Sequence, residues 1–124
     1  MSKTPLTDAE AKIMQLLWEE NPLTTRQITE ALESETHWTK YTVITLLKRM
    51  QQKGTVRVDE SGAVKTYAPA VDKRTVAAEQ TRSLVSRMFS GKASLLVSNL
   101  VEEGGMTDEE LREIEEILRR AARR

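Results

Sequence analysis

HWTKYTVITLLKRMQQKG, residues 37–54, carries apolar side chains at Val43, Leu46, Leu47 and Met50. That i, i+3, i+4, i+7 spacing predicts a helix with one stripe facing a core. At roughly 100° per residue the opposite side presents Tyr41, Thr45, Lys48 and Gln52, flanked by Thr42 and Arg49. Hydroxyl, amide and cationic groups of this kind hydrogen-bond base edges and phosphates in a DNA major groove. Thr39 is placed to cap the helix start, and Gly54 to take the left-handed conformation that ends it. An ordinary solvated helix face carries similar groups, so the flanking sequence has to decide.

Upstream, Thr7-Asp8-Ala9-Glu10 is a capping box that opens a helix to about Glu20, with Ile13, Met14, Leu16, Leu17 and Trp18 as its apolar side. Asn21-Pro22 stops it, because proline has no N–H and disfavours helix in the residue before it. A second capping box, Thr24-Thr25-Arg26-Gln27, opens a short helix with Ile28, Ala31 and Leu32 inward. Downstream, Val56-Arg57-Val58 and Val64-Lys65-Thr66-Tyr67-Ala68 have strand composition, with turn residues from Asp59 to Ala63 between them. Three capped helices followed by a hairpin predict a winged helix-turn-helix, mainly α with a small β-wing, over residues 1–70. In that frame Thr39, Lys40, Tyr41, Thr42, Thr45, Lys48 and Arg49 on the helix, with Arg57 and Lys65 on the wing, are the candidate DNA contacts. Tyr41 could instead pack under the wing, Ile44 could sit at the domain edge, and Arg49 could pair with Glu33 or Glu35.

Overall charge says little, since 19 cations balance 19 carboxylates in 124 residues. Residues 36–67 hold six cations against Asp59 and Glu60, a local excess of +4, and locality sets the field a duplex meets. The absence of cysteine excludes disulfides and thiolate metal sites and fits a cytoplasmic protein; the polar start MSKTPLTDAE has no signal-peptide character. His37 lacks metal-ligating partners at useful spacing and reads as a cap or a packing neighbour of Trp38, while Trp18 and Trp38 read as core anchors. No nucleophile–base pair, phosphate loop or metal motif stands out, so no enzymatic activity, cofactor, metal or small-molecule substrate is expected.

From residue 71 the composition changes. One helix to about Ser90 carries Val76, Leu84, Val85, Met88 and Phe89 and stops at Gly91. The run Leu95-Leu96-Val97-Ser98-Asn99-Leu100-Val101 is too apolar to stay solvated. A third capping box, Thr107-Asp108-Glu109-Glu110, opens a last helix with Leu111, Ile114, Ile117, Leu118 and Ala121 on one side. Its acidic start and arginine-rich end match the helix dipole, which is a simpler account of the carboxylates than acid–base chemistry. These helices have too little to bury alone, so residues 71–124 are read as a helical dimerisation domain with Leu84, Met88, Leu95, Leu96, Leu100, Val101, Leu111, Ile114 and Leu118 at the seam.

Over essentially its whole length the chain resembles the penicillinase and methicillin-resistance repressors (BlaI/MecI). The resemblance is carried, in this order and spacing, by LTDAEAKIMQLLW, Trp38, TLLKRMQQKG, Tyr67-Ala68-Pro69 and SLLVSNLVEEGGMTDEELREIEEIL. It implies a homodimeric repressor of transcription on a palindromic double-stranded operator. It also implies a membrane-bound sensor protease as partner and cleavage in the dimerisation region after an asparagine, which maps onto Asn99–Leu100. Leu100 stands where the best-known members have phenylalanine. Tyr41 and Ile44 depart from the family's recognition helix whereas Thr42 and Thr45 keep its pattern, so a different operator sequence is expected. The family's copper-responsive branch senses metal through cysteines, which this chain lacks. The alternative from a different class is a winged-helix adaptor that binds an acidic protein without reading DNA sequence.

Overall fold

The computed structural model describes residues 6–124, so residues 1–5 of the polar start lie outside the described residues. Six helices and three short strands follow in the order α1 (Asp8–Glu19), β1 (Leu23–Thr24), α2 (Thr25–Thr36), α3 (Lys40–Lys53), β2 (Val56–Asp59), β3 (Thr66–Pro69), α4 (Lys73–Met88), α5 (Ala93–Glu102) and α6 (Asp108–Ala122). All three predicted capping boxes form: the hydroxyls of Thr7, Thr24 and Thr107 accept the N–H groups of Glu10, Gln27 and Glu110, whose side chains accept the cap N–H in return. Each satisfies two donors that a helix start would otherwise leave open. The mainly helical winged-helix class expected from the sequence is the class observed.

The chain divides into two compact units between Gln80 and Thr81, a division that falls within α4. In the first, Ile13, Met14 and Leu17 of α1, Ile28 and Leu32 of α2, and Val43, Leu46, Leu47 and Met50 of α3 bury one common core. Leu23, Val56 and Tyr67 close it from the sheet, with Trp18 and Trp38 packed against its edge. The Trp18 indole N–H donates to the Val71 carbonyl at 3.0 Å, and Val76 of α4 is buried, so this unit extends past the wing. Ala31, expected inward on α2, is exposed, because the apolar stripe of that helix narrows to Ile28 and Leu32.

The sheet is antiparallel in the order β1-β3-β2, with Leu23 and Val58 each facing Tyr67. Strand β1 was not anticipated; two residues are too few to show a period. The second wing strand starts at Thr66, later than expected, leaving Val64 and Lys65 in the turn. The physical reason is visible at Asp59, whose Oδ1 accepts the Ser61 N–H at 2.9 Å and hydroxyl at 2.6 Å. This Asx-type turn takes the chain out of the ladder early. The same two bonds hold the Asp59 carboxyl below its usual value.

Candidate nucleic-acid interface

Helix α3 is held at both ends. At its start the Thr39 hydroxyl accepts the Thr42 N–H at 3.3 Å. Just before it, His37 takes a left-handed conformation (φ 56°) as its N–H donates to the Glu33 carbonyl. The Trp38 N–H then reaches the Thr36 hydroxyl at 3.1 Å. These bonds make the sharp turn from α2 into α3. At the far end Gly54 (φ 83°) donates to the Gln51 carbonyl and Thr55 to the Met50 carbonyl, the Schellman pattern that a left-handed residue makes possible. The Thr55 hydroxyl, fully buried, adds a second bond to Met50 at 3.1 Å.

A third tie was not legible as such. Glu10, in the first turn of α1, is inaccessible to solvent, and its Oε1 accepts both the Thr7 N–H at 3.1 Å and the Lys53 ammonium at 2.7 Å. Burial pushes this carboxyl up. The Lys53 hydrogen bond, the Thr7 N–H and the charges of Lys53 and Arg49 outweigh it and hold the group below its usual value. The sequence did carry a signal. Glu10 begins the stripe Glu10, Ile13, Met14, Leu17, and Lys53 follows Met50 by three residues, so each lies on a core-facing edge. The start of α1 is thus pinned to the end of α3.

With its ends fixed, α3 turns Val43, Leu46, Leu47 and Met50 inward and leaves Lys40, Tyr41, Thr42, Thr45, Lys48, Arg49 and Gln52 exposed. Thr39, Arg57 on β2 and Lys65 in the wing turn are exposed as well. Tyr41 is 77% exposed, so it does not pack under the wing. Glu35 pairs with Lys12, and Glu33 stands 3.8 Å from the His37 ring, so the two α2 carboxylates within sequence reach of Arg49 have other neighbours. Helix α3 carries no acidic residue, and its first turn is free of the carboxylates that crowd the starts of α1 and α6. Its positive dipole end therefore goes unneutralised from within the helix. The Thr45 hydroxyl donates to the Tyr41 carbonyl at 3.0 Å, so towards an outside partner it offers its lone pairs.

The second unit has a different surface. No side chain in residues 81–124 is buried; Leu96 and Ile114 are half-buried, and Leu84, Met88, Leu95, Leu100, Val101, Leu111 and Leu118 are exposed. Asn99 and Leu100 are exposed in the second half of α5, where the Asn99 carbonyl accepts the Glu103 N–H at 3.0 Å. On α6, Arg119 pairs with Glu115 and Glu116 along its own helix. Among the described residues no group of three or more His, Cys, Asp or Glu gathers to hold a metal, and no helix is long and apolar enough to cross a membrane.

Comparison with known proteins adds four similarities. The model of the penicillinase repressor family matches residues 6–120. The penicillinase repressor of Bacillus licheniformis is 28% identical over 119 residues, covering 95% of this chain and 93% of that protein. A solution structure of Bacillus licheniformis BlaI, in monomeric form in complex with the blaP half-operator, shares 30% identity and a TM-score of 0.51 over 59% of this chain and 90% of that one. A MarR family protein from Bacillus stearothermophilus, 20% identical, matches 96% of this chain and 74% of its own with a TM-score of 0.51, a likeness of fold alone.

Proposed function

The chain belongs to the penicillinase repressor family, and on that premise we propose that this DNA-binding transcriptional repressor acts as a homodimer on a palindromic operator. The observation that carries the reading is the outer face of α3, with exposed hydroxyls, an amide and cations and no carboxylate on the helix. Thr39, Thr42 and Thr45 face base edges, with Thr45 accepting from an exocyclic amine such as adenine N6 or cytosine N4. Lys40, Lys48 and Arg49 bind phosphates from the helix, and Arg57 and Lys65 do so from the wing. The relative seen as a monomer on a half-operator supports one winged helix per half-site.

The second copy meets the first through residues 81–124. Leu84, Met88, Leu95, Leu96, Leu100, Val101, Leu111, Ile114 and Leu118 are at most half-buried within their own unit, and a like surface on another chain supplies the cover they lack. Linking two half-site readers raises the local concentration of the second once the first has bound. Proteolysis between Asn99 and Leu100, by a membrane-bound sensor protease, is the off-switch of this reading. It would split α5, separate the readers and release the DNA. The bond lies within a helix, so cutting requires α5 to unwind locally.

The test is a salt-titrated binding assay of the full chain against fragments selected from random-sequence DNA, with Thr42→Ala and Thr45→Ala alongside. Tight binding to a two-fold-related sequence is expected, weakened by about 1–3 kcal/mol per lost base contact. Salt-sensitive binding with no sequence preference would instead favour an adaptor whose third helix meets an acidic protein.

A further inference from the structure

We propose that Tyr41 and Ile44 read the 5-methyl groups of thymines, making them specificity-determining residues of the operator contact. The inference rests on the DNA-reading role of α3 proposed above. Every other large apolar side chain of α3 is buried in the core, whereas Tyr41 is 77% and Ile44 40% exposed. They stand three residues apart, so they are neighbours on the helix surface. Lys48 lies one turn beyond both, at i+4 from Ile44 and i+7 from Tyr41. A mainly apolar pair therefore sits among the cations and hydroxyls of a helix that carries no carboxylate.

The occupant has to satisfy both characters. A polyanion answers Lys40, Lys48 and Arg49, and its contact surface must also offer apolar atoms to Tyr41 and Ile44. In the major groove thymine alone of the four bases presents a methyl group. A helix of about 10–12 Å fills a groove about 12 Å wide, so its outer face is buried against base edges once it enters. Ile44, which has no donor or acceptor, then gains only where it covers a methyl, and it leaves a base's polar edge unpaired anywhere else; the Tyr41 ring carbons obey the same rule, its hydroxyl aside.

Replacing thymine by deoxyuridine deletes that methyl and leaves base pairing intact. The experiment takes the selected operator, makes this replacement one thymine at a time on each strand, and measures the affinity of the full-length protein, Ile44→Ala and Tyr41→Ala. Both side chains lie outside the core, and a melting temperature for each variant checks that the fold is kept. At one or two thymines per half-site the unaltered protein should lose about fourfold in affinity per methyl removed, the value of burying one such group. At its own thymine each variant should bind the two bases equally. Plots of log affinity against log salt should keep one slope throughout, since a methyl contact releases no counterion. If deoxyuridine is tolerated everywhere, or the variants keep the full sensitivity, the methyl-reading role is wrong while the DNA reading stands on its selectivity. If no sequence-selective binding exists at all, both fall together.

Discussion

The two units solve the same problem in opposite ways. In the first, three helices and a small sheet turn their apolar stripes towards one another, and Ile13, Met14, Leu17, Ile28, Val43, Leu47 and Met50 are essentially inaccessible to solvent. In residues 81–124 nothing is buried, although Leu95 to Val101 form the most apolar run of the chain. Among the described residues, nine of the twelve exposed large hydrophobic side chains belong to that second unit, which is why its surface cannot be an ordinary scatter of apolar residues. An amphipathic pattern tells that a face is to be covered. It does not tell whether the cover is another part of the chain or another chain.

The strongest way to break the comparison is to place a charge on the open surface. Leu118 is 58% exposed, so Leu118→Asp should leave the single chain folded, yield monomers in sedimentation, and weaken binding to a two-half-site operator roughly a hundredfold. Unchanged dimers would remove α6 from the interface. In the closed unit the matching experiment is Lys53→Ala, which strands the buried Glu10 carboxylate. We expect a loss of about 3 kcal/mol in denaturant unfolding, at the lower end for a broken buried pair because Lys53 is partly solvated.

The same pair sharpens the comparison through pH. Glu10 has a folded pKa below its unfolded one, so its contribution to stability is fully present above the unfolded value. That contribution is lost as pH falls through the depressed folded value. Thermal melts on acidification should show this loss in the parent protein and less of it in Lys53→Ala, where the carboxyl no longer has its cation. The smallest effect belongs to Lys48→Ala. It should lower affinity about equally for every sequence and reduce the salt slope by about one unit, leaving the operator preference intact.

Much of this was legible in the sequence, and the misses have physical reasons. Thr7, Thr24 and Thr107 announced three helix starts, because a capping box is a local bond pattern that needs no tertiary information. The face of α3 was legible for the same reason: periodicity alone separates Val43 and Met50 from Tyr41 and Lys48. Strand β1 was invisible, since Leu23 and Thr24 become a strand only through pairing with Tyr67 and Thr66 more than forty residues away. The sequence shows Glu10 only as a capping partner, because its burial depends on Lys53 arriving from α3. Whether Tyr41 packs under the wing or faces outward is likewise a question of tertiary placement, and the structure turns it outward.

The most direct test of the central claim, that a closed reader of DNA is joined to an open surface made for a second copy, uses two DNA duplexes and one protein. The full chain is titrated onto the selected operator with both half-sites intact, and onto the same duplex with one half-site scrambled. The account predicts two chains bound to the intact operator, with affinity at least about a hundredfold above that for the single half-site. Equal affinity for the two duplexes, with one independent chain per half-site, would contradict it.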